Sequence, residues 1–438
     1  MASLRLSYVV LGFTLVYGCG SEKPPPMPWT TGFWFWHGSS AEVTASVEDL
    51  DALYFKVGPI QSRVYAALPA KLPEAHEFWL VYRFDQPGIP VLETVPVLAD
   101  SVRKLRAEMR QRGMALTGIQ LDVDSPTRLL NNYARYLSAV RKELPADLQL
   151  SITALLDWFR SGTGIANVLR HVDEHVPQFY DARDTSASSG GAAIAERLDG
   201  AKWGPMLNRY RKRFRIGVST FGRARLIRKP DENRNTVVFL VDVKPLDIAL
   251  DPAFELQARR TEANELALRY RAIRTTRAGH VAFAKGDGIE FLLSTPESIR
   301  GAVTEAKKIG GYCAGVLFFR WPGWGETLTA QPNEVLVAAG VLQQQDNAEL
   351  EVVDRECAAV FCADLYLNPR RLVAEELRYR IESSMELEYF LPHKELRVRM
   401  SGPSRLEFSL PPYCGRGRLF LGRAVTSGRA GYRLKEEQ

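Results

Sequence analysis

The sequence predicts a (β/α)8, TIM-type barrel with an insertion after strand 7 and a C-terminal all-β domain. From residue 32 to about residue 346, strand-like apolar runs alternate with helical stretches, the pattern of a parallel α/β fold. Eight such runs can be drawn, enough to close a ring. From about Glu349 onward, strand-like alternation replaces helical periodicity. At 438 residues the chain exceeds what one ordinary core organises, which fits a large barrel with additions.

The eight strands are Phe33 to His37, Leu53 to Val57, Phe78 to Phe84, Leu116 to Asp122, Gln149 to Leu155, Val176 to Asp181, Arg215 to Thr220 and Ala314 to Arg320. Between them, Pro126 to Leu144 carries Leu129, Leu130, Tyr133, Leu137, Val140 and Leu144 at helical spacing, with Ser125 placed to cap and Pro126 in the first turn. Thr295-Pro296-Glu297-Ser298 opens a second helix that runs to Ile309 and stops at Gly310-Gly311. Two places interrupt the alternation. Thr185 to Gly191 reads as a loop, and residues 224–293 are too long for one crossover. The latter stretch reads as an inserted subdomain holding a strand at Val237 to Val241, a helix through Glu262 to Arg274 and a strand near Val281 and Phe283. In the C-terminal part (349–438), Leu377 to Ile381, Met385 to Tyr389, Leu396 to Met400, Leu406 to Leu410 and Leu419 to Leu421 alternate as a half-buried antiparallel sheet would, in a small sandwich.

The first residues read as a signal peptide (1–18): Arg5, then apolar residues from Leu6 to Tyr17. A run of about 12 residues rises only about 18 Å, short of a bilayer core of about 30 Å. Val16-Tyr17-Gly18-Cys19 resembles a lipobox, which implies a diacylglycerol thioether on Cys19 and a membrane association through lipid alone. Gly20 in place of an aspartate points to the outer membrane, facing the periplasm or the cell surface. Lys23 to Pro28 would extend as a polyproline II tether.

The formal charge is +6, but the Lys and Arg of Arg103 to Arg112, Arg209 to Arg215 and Arg259 to Arg277 are interspersed with acids and apolar residues. They read as solvated helix faces and not as a nucleic-acid surface; an anionic lipid or acidic glycan is the better partner for a basic patch. Of the cysteines, Cys313 lies in an apolar strand and reads as buried and free, and one bridge is expected among Cys357, Cys362 and Cys414. No Cys/His spacing suggests a metal, and no cofactor is expected.

The segment Gly118-Ile119-Gln120-Leu121-Asp122-Val123-Asp124-Ser125-Pro126 carries the most chemistry. Alternation puts Ile119, Leu121 and Val123 on one face and Gln120, Asp122 and Asp124 on the other. In a barrel the polar row faces inward and climbs to the C-terminal mouth, where barrel enzymes keep their active sites. Two neighbouring carboxylates can push one pKa upward, as a general acid requires. The bland alternative is capping and ion pairing around Ser125 and Arg128.

The spacing resembles strand four of the family-18 glycoside hydrolases, the chitinase family, with its Asp-Gly-x-Asp-x-Asp-x-Glu. Here Thr117 and Gln120 replace the first two aspartates, Asp122 matches the third, and Asp124 stands where the family has its glutamic acid. Gln178-Phe179-Tyr180-Asp181 resembles the Tyr-Asp ending strand six, and Gly217 to Arg223 resembles the family's Gly-x-Pro-x-Tyr-Gly-Arg. Gln120 to Pro126 and Leu150 to Trp158 also resemble the bacterial domain-of-unknown-function family 3142.

The resemblance implies Asp124 as general acid, with Asp122 and Tyr180 holding a substrate acetamido group that attacks the anomeric carbon. If water or a carboxylate attacks instead, Asp157 is the natural partner of Asp124. Gln120, Asp181, His37, Arg83, Arg223 and Arg320 complete the substrate-binding candidates, the two strand-end arginines Arg83 and Arg320 binding an acidic sugar or neutralising the aspartates. Trp36, Trp158, Phe221, Trp321 and Trp324 are candidate stacking rings for a sugar, or packing residues. Three readings stay open: a glycoside hydrolase-like lipoprotein, a non-catalytic glycan-binding lipoprotein, and a structural or assembly lipoprotein.

Overall fold

The computed structural model describes residues 27–36, 50–61, 66–180, 197–228, 237–262, 265–323, 326–343, 347–358, 360–370, 372, 375–393, 396–412 and 416–437. Cys19, His37, Asp181, Trp324, Cys414 and the Thr185 to Gly191 loop lie outside the described residues.

Seven strands come first: β1 (Thr30–Phe35), β2 (Leu50–Pro59), β3 (Ala75–Phe84), β4 (Leu116–Val123), β5 (Gln149–Ala154), β6 (Glu174–Phe179) and β7 (Arg213–Ser219). The helices among them are α1 (Thr94–Gln111), α2 (Leu130–Glu143), the short α3 (Ile165–Leu169) and α4 (Gly200–Asn208). An insertion follows, comprising β8 (Arg223–Arg228), β9 (Val237–Val241), α5 (Pro245–Ala249), β10 (Phe254–Glu262), β11 (Glu265–Ala272), β12 (Thr276–Ala278), β13 (Val281–Phe283) and β14 (Gly288–Ser294). Then α6 (Pro296–Ile309) leads into β15 (Cys313–Phe319). β15 pairs in parallel with both β7 and β1, closing an eight-stranded ring in the order β1-β15-β7-β6-β5-β4-β3-β2.

The ring forms because each strand has two usable faces. Phe33, Phe35, Leu53, Phe55, Leu80, Ile119, Leu121, Ile152, Ile216 and Phe318 point out and join the helix faces in one core. In α2 that face is Leu130, Tyr133, Leu137 and Val140, as the spacing predicts, joined by Ala134 and Tyr136. Ser125 does not cap it: its hydroxyl donates to the Pro126 carbonyl, and a single 3-10 turn (Thr127–Leu129) starts the helix instead. Thr295 does cap α6, in a reciprocal arrangement with Ser298.

The insertion departs from expectation. Glu262 to Arg274 is not a helix; β10 and β11 pair as a hairpin there, within an antiparallel sheet of order β10-β11-β14-β8-β9. Its arginines therefore stand on strands, not on a helix face. The alternating run Leu266, Leu268, Tyr270, Ala272 is the sheet's inner face and packs with Phe291 and Leu293. That period of two outweighed the run's helix-compatible composition.

After α7 (Pro332–Ala338), two four-stranded antiparallel sheets pack on a shared core that includes Leu365, Tyr379, Leu406 and Leu421. One holds β16 (Ala348–Glu356), β17 (Phe361–Pro369), β22 (Leu419–Thr426) and β19 (Leu387–Pro392); the other holds β20 (Arg399–Gly402), β21 (Arg405–Leu410), β18 (Leu377–Ser383) and β23 (Tyr432–Glu437). Cys357 and Cys362 form a disulfide between β16 and β17, and Cys313 is buried and free. Arg416 ties this part to the barrel and the insertion: fully buried, it bonds both oxygens of Glu334 at 2.9 and 3.0 Å and the Ser294 carbonyl at 2.8 Å.

At the N-terminal end of the strands the barrel is sealed by charge. Arg215 and Glu174 are both 0 % exposed and 3.0 Å apart. Arg215 also donates to Glu77 (2.8 Å), the Tyr54 hydroxyl (2.6 Å) and Thr30 (2.9 Å), while Tyr54 donates to Glu174 at 2.5 Å. Every polar atom of the pair thus finds a partner, the condition for burying charge. Arg215→Met should leave the buried Glu174 with the longer Arg213 contact, 3.3 Å, as its cation and destabilise the protein by about 3 kcal/mol, with much of that recovered in Arg215→Met/Glu174→Leu. Urea unfolding of the two variants checks it.

A second prediction concerns His175, enclosed between Phe159 and Phe214, where burial pushes its imidazole down to about 3. The unfolded chain takes up this proton from about pH 6.5 downward while the native state does not. Stability should therefore fall by about 1.4 kcal/mol per pH unit from that side until the folded value is reached. His175→Phe should remove one proton's worth of slope from stability measured against pH.

Candidate active site at the barrel mouth

The inward row of β4 turns toward the interior as alternation requires. Gln120 is fully buried, accepting from Trp34 Nε1 at 2.7 Å and donating to Ser151 at 3.1 Å. It belongs to the packed interior and is not open to a ligand, which corrects its reading as a binding residue. One step up, Asp122 is 2 % exposed; its two oxygens receive Arg83 at 2.5 Å and Thr153 at 2.7 Å. Asp124, just past the strand end, is 47 % exposed and lies 3.2 Å from the same guanidinium, which also reaches Asp85 at 2.7 Å. One cation therefore serves three carboxylates. Burial works against the Arg83 charge, but Asp122, helped by Asp124 and Asp85, outweighs it and holds Arg83 above the usual arginine value.

An aromatic group stands on the other wall. Tyr180 stacks on Phe319 with ring centroids 4.6 Å apart and planes within 7°. Trp36 and Phe221 meet Phe319 edge-on, each at 5.5 Å. Lys56 sits 5.3 Å above the Trp36 ring, and the Arg223 guanidinium 5.4 Å from that of Phe221. In the ring of strands β15, which carries Phe319, is four steps from β4 in either direction, so the aromatics and the carboxylates face each other across the mouth. Gly217 makes room: a Cβ there would lie 2.9 Å from the Tyr180 ring and 3.1 Å from that of Trp34. Thus Trp36, Phe221, Tyr180, Arg83, Asp122 and Asp124 are brought together as a site.

Others are not. Trp158 is fully buried against Tyr133 with its indole donating to the Ser125 carbonyl, and Trp321 is buried against Phe33 and Phe35; both are packing rings outside the barrel. Neither can offer a face to a sugar, because the helix layer covers them. Arg320 forms two 2.8 Å bonds to Glu326. Asp157 lies on the turn after β5 and accepts from Thr127. Phe319, Thr153 and Asp85 were not anticipated. Alternation marks the first two: Phe319 follows inward Leu317, and Thr153 follows inward Ser151. Among the described residues no group of three or more His, Cys, Asp or Glu is placed to hold a metal, and no helix is long and apolar enough to cross a membrane.

Residues 80–274 match the family model described as Domain of unknown function (DUF3142). The segments Gln120 to Pro126 and Leu150 to Trp158 fall inside that span. No curated protein matches the chain. Among solved structures, the spore cortex-lytic enzyme SleL of Bacillus megaterium QM B1551 is similar at 12 % identity and TM-score 0.44, covering 72 % of this chain and 74 % of that one. A chitinase from Chromobacterium violaceum ATCC 12472 is similar at 13 % identity and TM-score 0.45, covering 72 % and 100 %. A class V chitinase from Nicotiana tobaccum is similar at 12 % identity and TM-score 0.46, covering 71 % and 99 %. The barrel itself is established by its own strand order.

Arg83→Gln should leave Asp122 buried without its cation and cost about 3–5 kcal/mol. Adding Asp122→Asn should recover a large part of the loss. Chemical denaturation of the single and double variants checks this, and equal stability of wild type and Arg83→Gln would show that the clamp is not structural.

Proposed function

We propose that the barrel mouth binds a glycan. The observation that carries this reading is the pairing of an aromatic wall, in which the partly exposed Trp36 and Phe319 are backed by the buried Tyr180 and Phe221, with an opposed row of hydrogen-bonding carboxylates. A pyranose has an apolar C–H face that rests on a flat ring and equatorial hydroxyls that donate to carboxylates. Asp124, half exposed just past the end of β4, is placed for that role, and Arg83 fixes its position.

A second reading, cleavage or modification of a glycosidic bond, is favoured by one observation: Asp124 is half exposed at the C-terminal end of its strand, and its contact with Arg83 is longer than that of Asp122, 3.2 Å against 2.5 Å. In that reading a substrate draws Asp124 away from Arg83, so that the acid can carry a proton to the leaving oxygen. Asp122, held by Arg83 and Thr153, orients the sugar's acetamido group together with Tyr180. The aspartate is one methylene shorter than the glutamate of the resembling family, so the bond to be cleaved must sit closer to the strand end.

Titration calorimetry with an N-acetylglucosamine tetramer tests binding. Saturable affinity that falls about tenfold or more in Trp36→Ala is expected, and absence of any saturable glycan binding across an array overturns the reading. Product analysis by mass spectrometry tests cleavage: turnover should drop at least about 100-fold in Asp124→Asn. We also propose that the chain is exported and lipid-anchored through Cys19, to which the Cys357–Cys362 disulfide lends support. Metabolic labelling with an alkyne fatty acid should mark the wild type and not Cys19→Ala.

A further inference from the structure

The insertion sheet has two faces, and the outer one is seated on the barrel mouth. Ala267 of β11 and Leu292 of β14 leave the sheet's own core and pack in the cluster that contains Trp34, Tyr180 and Phe221. Ser294 Oγ, at the end of β14, bonds to the Phe221 carbonyl at 3.3 Å. Register then fixes what stands above the mouth. Leu292 pairs with Arg223 and Ala267, Glu290 with Arg225 and Arg269, and Gly288 with Arg271, all on the face that Leu292 shares. Glu290, with 8 % of its side chain exposed, is held by Arg225 and by Arg269 at 2.9 Å. In that row one carboxylate faces two guanidinium groups, of which Arg269 is 41 % exposed. In the next row Arg271 is 53 % exposed and meets Glu255 only at 3.4 Å.

We infer that this arginine face is a recognition wall for acidic groups on the ligand, so that the substrate class is a glycan bearing carboxylate or phosphate substituents. The inference rests on the glycan reading of the mouth. Arg269 and Arg271, 41 % and 53 % exposed, are the residues that reach the ligand. A guanidinium offers paired N–H donors matched to a carboxylate or phosphate, and its charge is not lost at any working pH. Neutral sugar rings lie over the aromatic wall while acidic substituents extend along the insertion sheet, away from Asp122 and Asp124.

The test compares two oligosaccharides of equal length by titration calorimetry with the full chain: a hyaluronan tetrasaccharide, with alternating N-acetylglucosamine and glucuronate, and the neutral N-acetylglucosamine tetramer. The acidic one should bind about tenfold tighter at low salt, and the advantage should shrink as ionic strength rises. Arg269→Gln and Arg271→Gln should each move the ratio of affinities toward one; the second, on an exposed strand position, keeps the test open if the first disturbs Glu290. Thermal unfolding of both variants reports on folding. Equal affinities in the wild type, or a preference unmoved by either substitution, overturns the inference and leaves the glycan reading standing. Binding of neither oligosaccharide overturns this inference, and the glycan reading falls with it when the array also shows no saturable binding.

Discussion

A carboxylate with 2 % of its surface in contact with water needs a cation close by, and at Asp122 that cation is Arg83. The requirement propagates. Because Arg83 is committed to Asp122, its remaining nitrogens set where Asp85 and Asp124 can rest, and so the geometry of the whole acidic side of the mouth. Thr153 fills the other oxygen of Asp122 and thereby couples β5 to β3 and β4. The rim carboxylates are arranged around one guanidinium, and any ligand that engages Asp124 competes with it.

Below this level the barrel offers a ligand nothing. Tyr54 and Trp79 stack at 5.0 Å with planes 6° apart, Trp34 closes on Tyr54 edge-on, and the Arg215–Glu174 pair fills the floor. The interior is thus layered: ionic at the bottom, aromatic in the middle, and polar with a half-exposed acid at the top. A chain of hydrogen bonds from Trp34 through Gln120 and Ser151 to Glu174 crosses these layers, so the middle residues of the β4 row act as struts. Access is confined to the rim by packing, not by the absence of polar side chains deeper down.

The sequence was legible wherever one periodicity stood alone. The eight barrel strands and the α2 and α6 helices follow from unambiguous apolar patterns, and the Thr295 cap from its spacing. Residues 262–274 misled because arginine and alanine suit a helix, while the deciding alternation of Leu266, Leu268, Tyr270 and Ala272 gains meaning only from the partner strand β14. The inward direction of Asp122 is readable from alternation and its neutralisation from the strand-end Arg83; its bond to Thr153 depends on the register of β5 against β4, which no local pattern carries. Trp158 and Trp321 failed as stacking rings for a similar reason. An aromatic just after a strand can turn to the mouth or back under the helices, and tertiary packing alone decides.

The distribution of charge about the ring gives the insertion its meaning. It leaves the barrel between β7 and β15, and β15 stands opposite β4, so the arginine face rises across the mouth from the aspartates. A barrel alone could not hold Arg225, Arg269 and Arg271 there, since above Arg215 the inward positions of β7 and β15 are taken by glycine, serine and apolar groups. The sheet supplies a platform whose inner face has its own core, leaving its outer face free to carry polar residues down to Leu292 and Ala267, which seat it. With acid on one side and base on the other, the mouth has a direction. A ligand with neutral rings and charged substituents would have one favourable orientation in it, and a uniformly neutral polymer would gain nothing from the asymmetry.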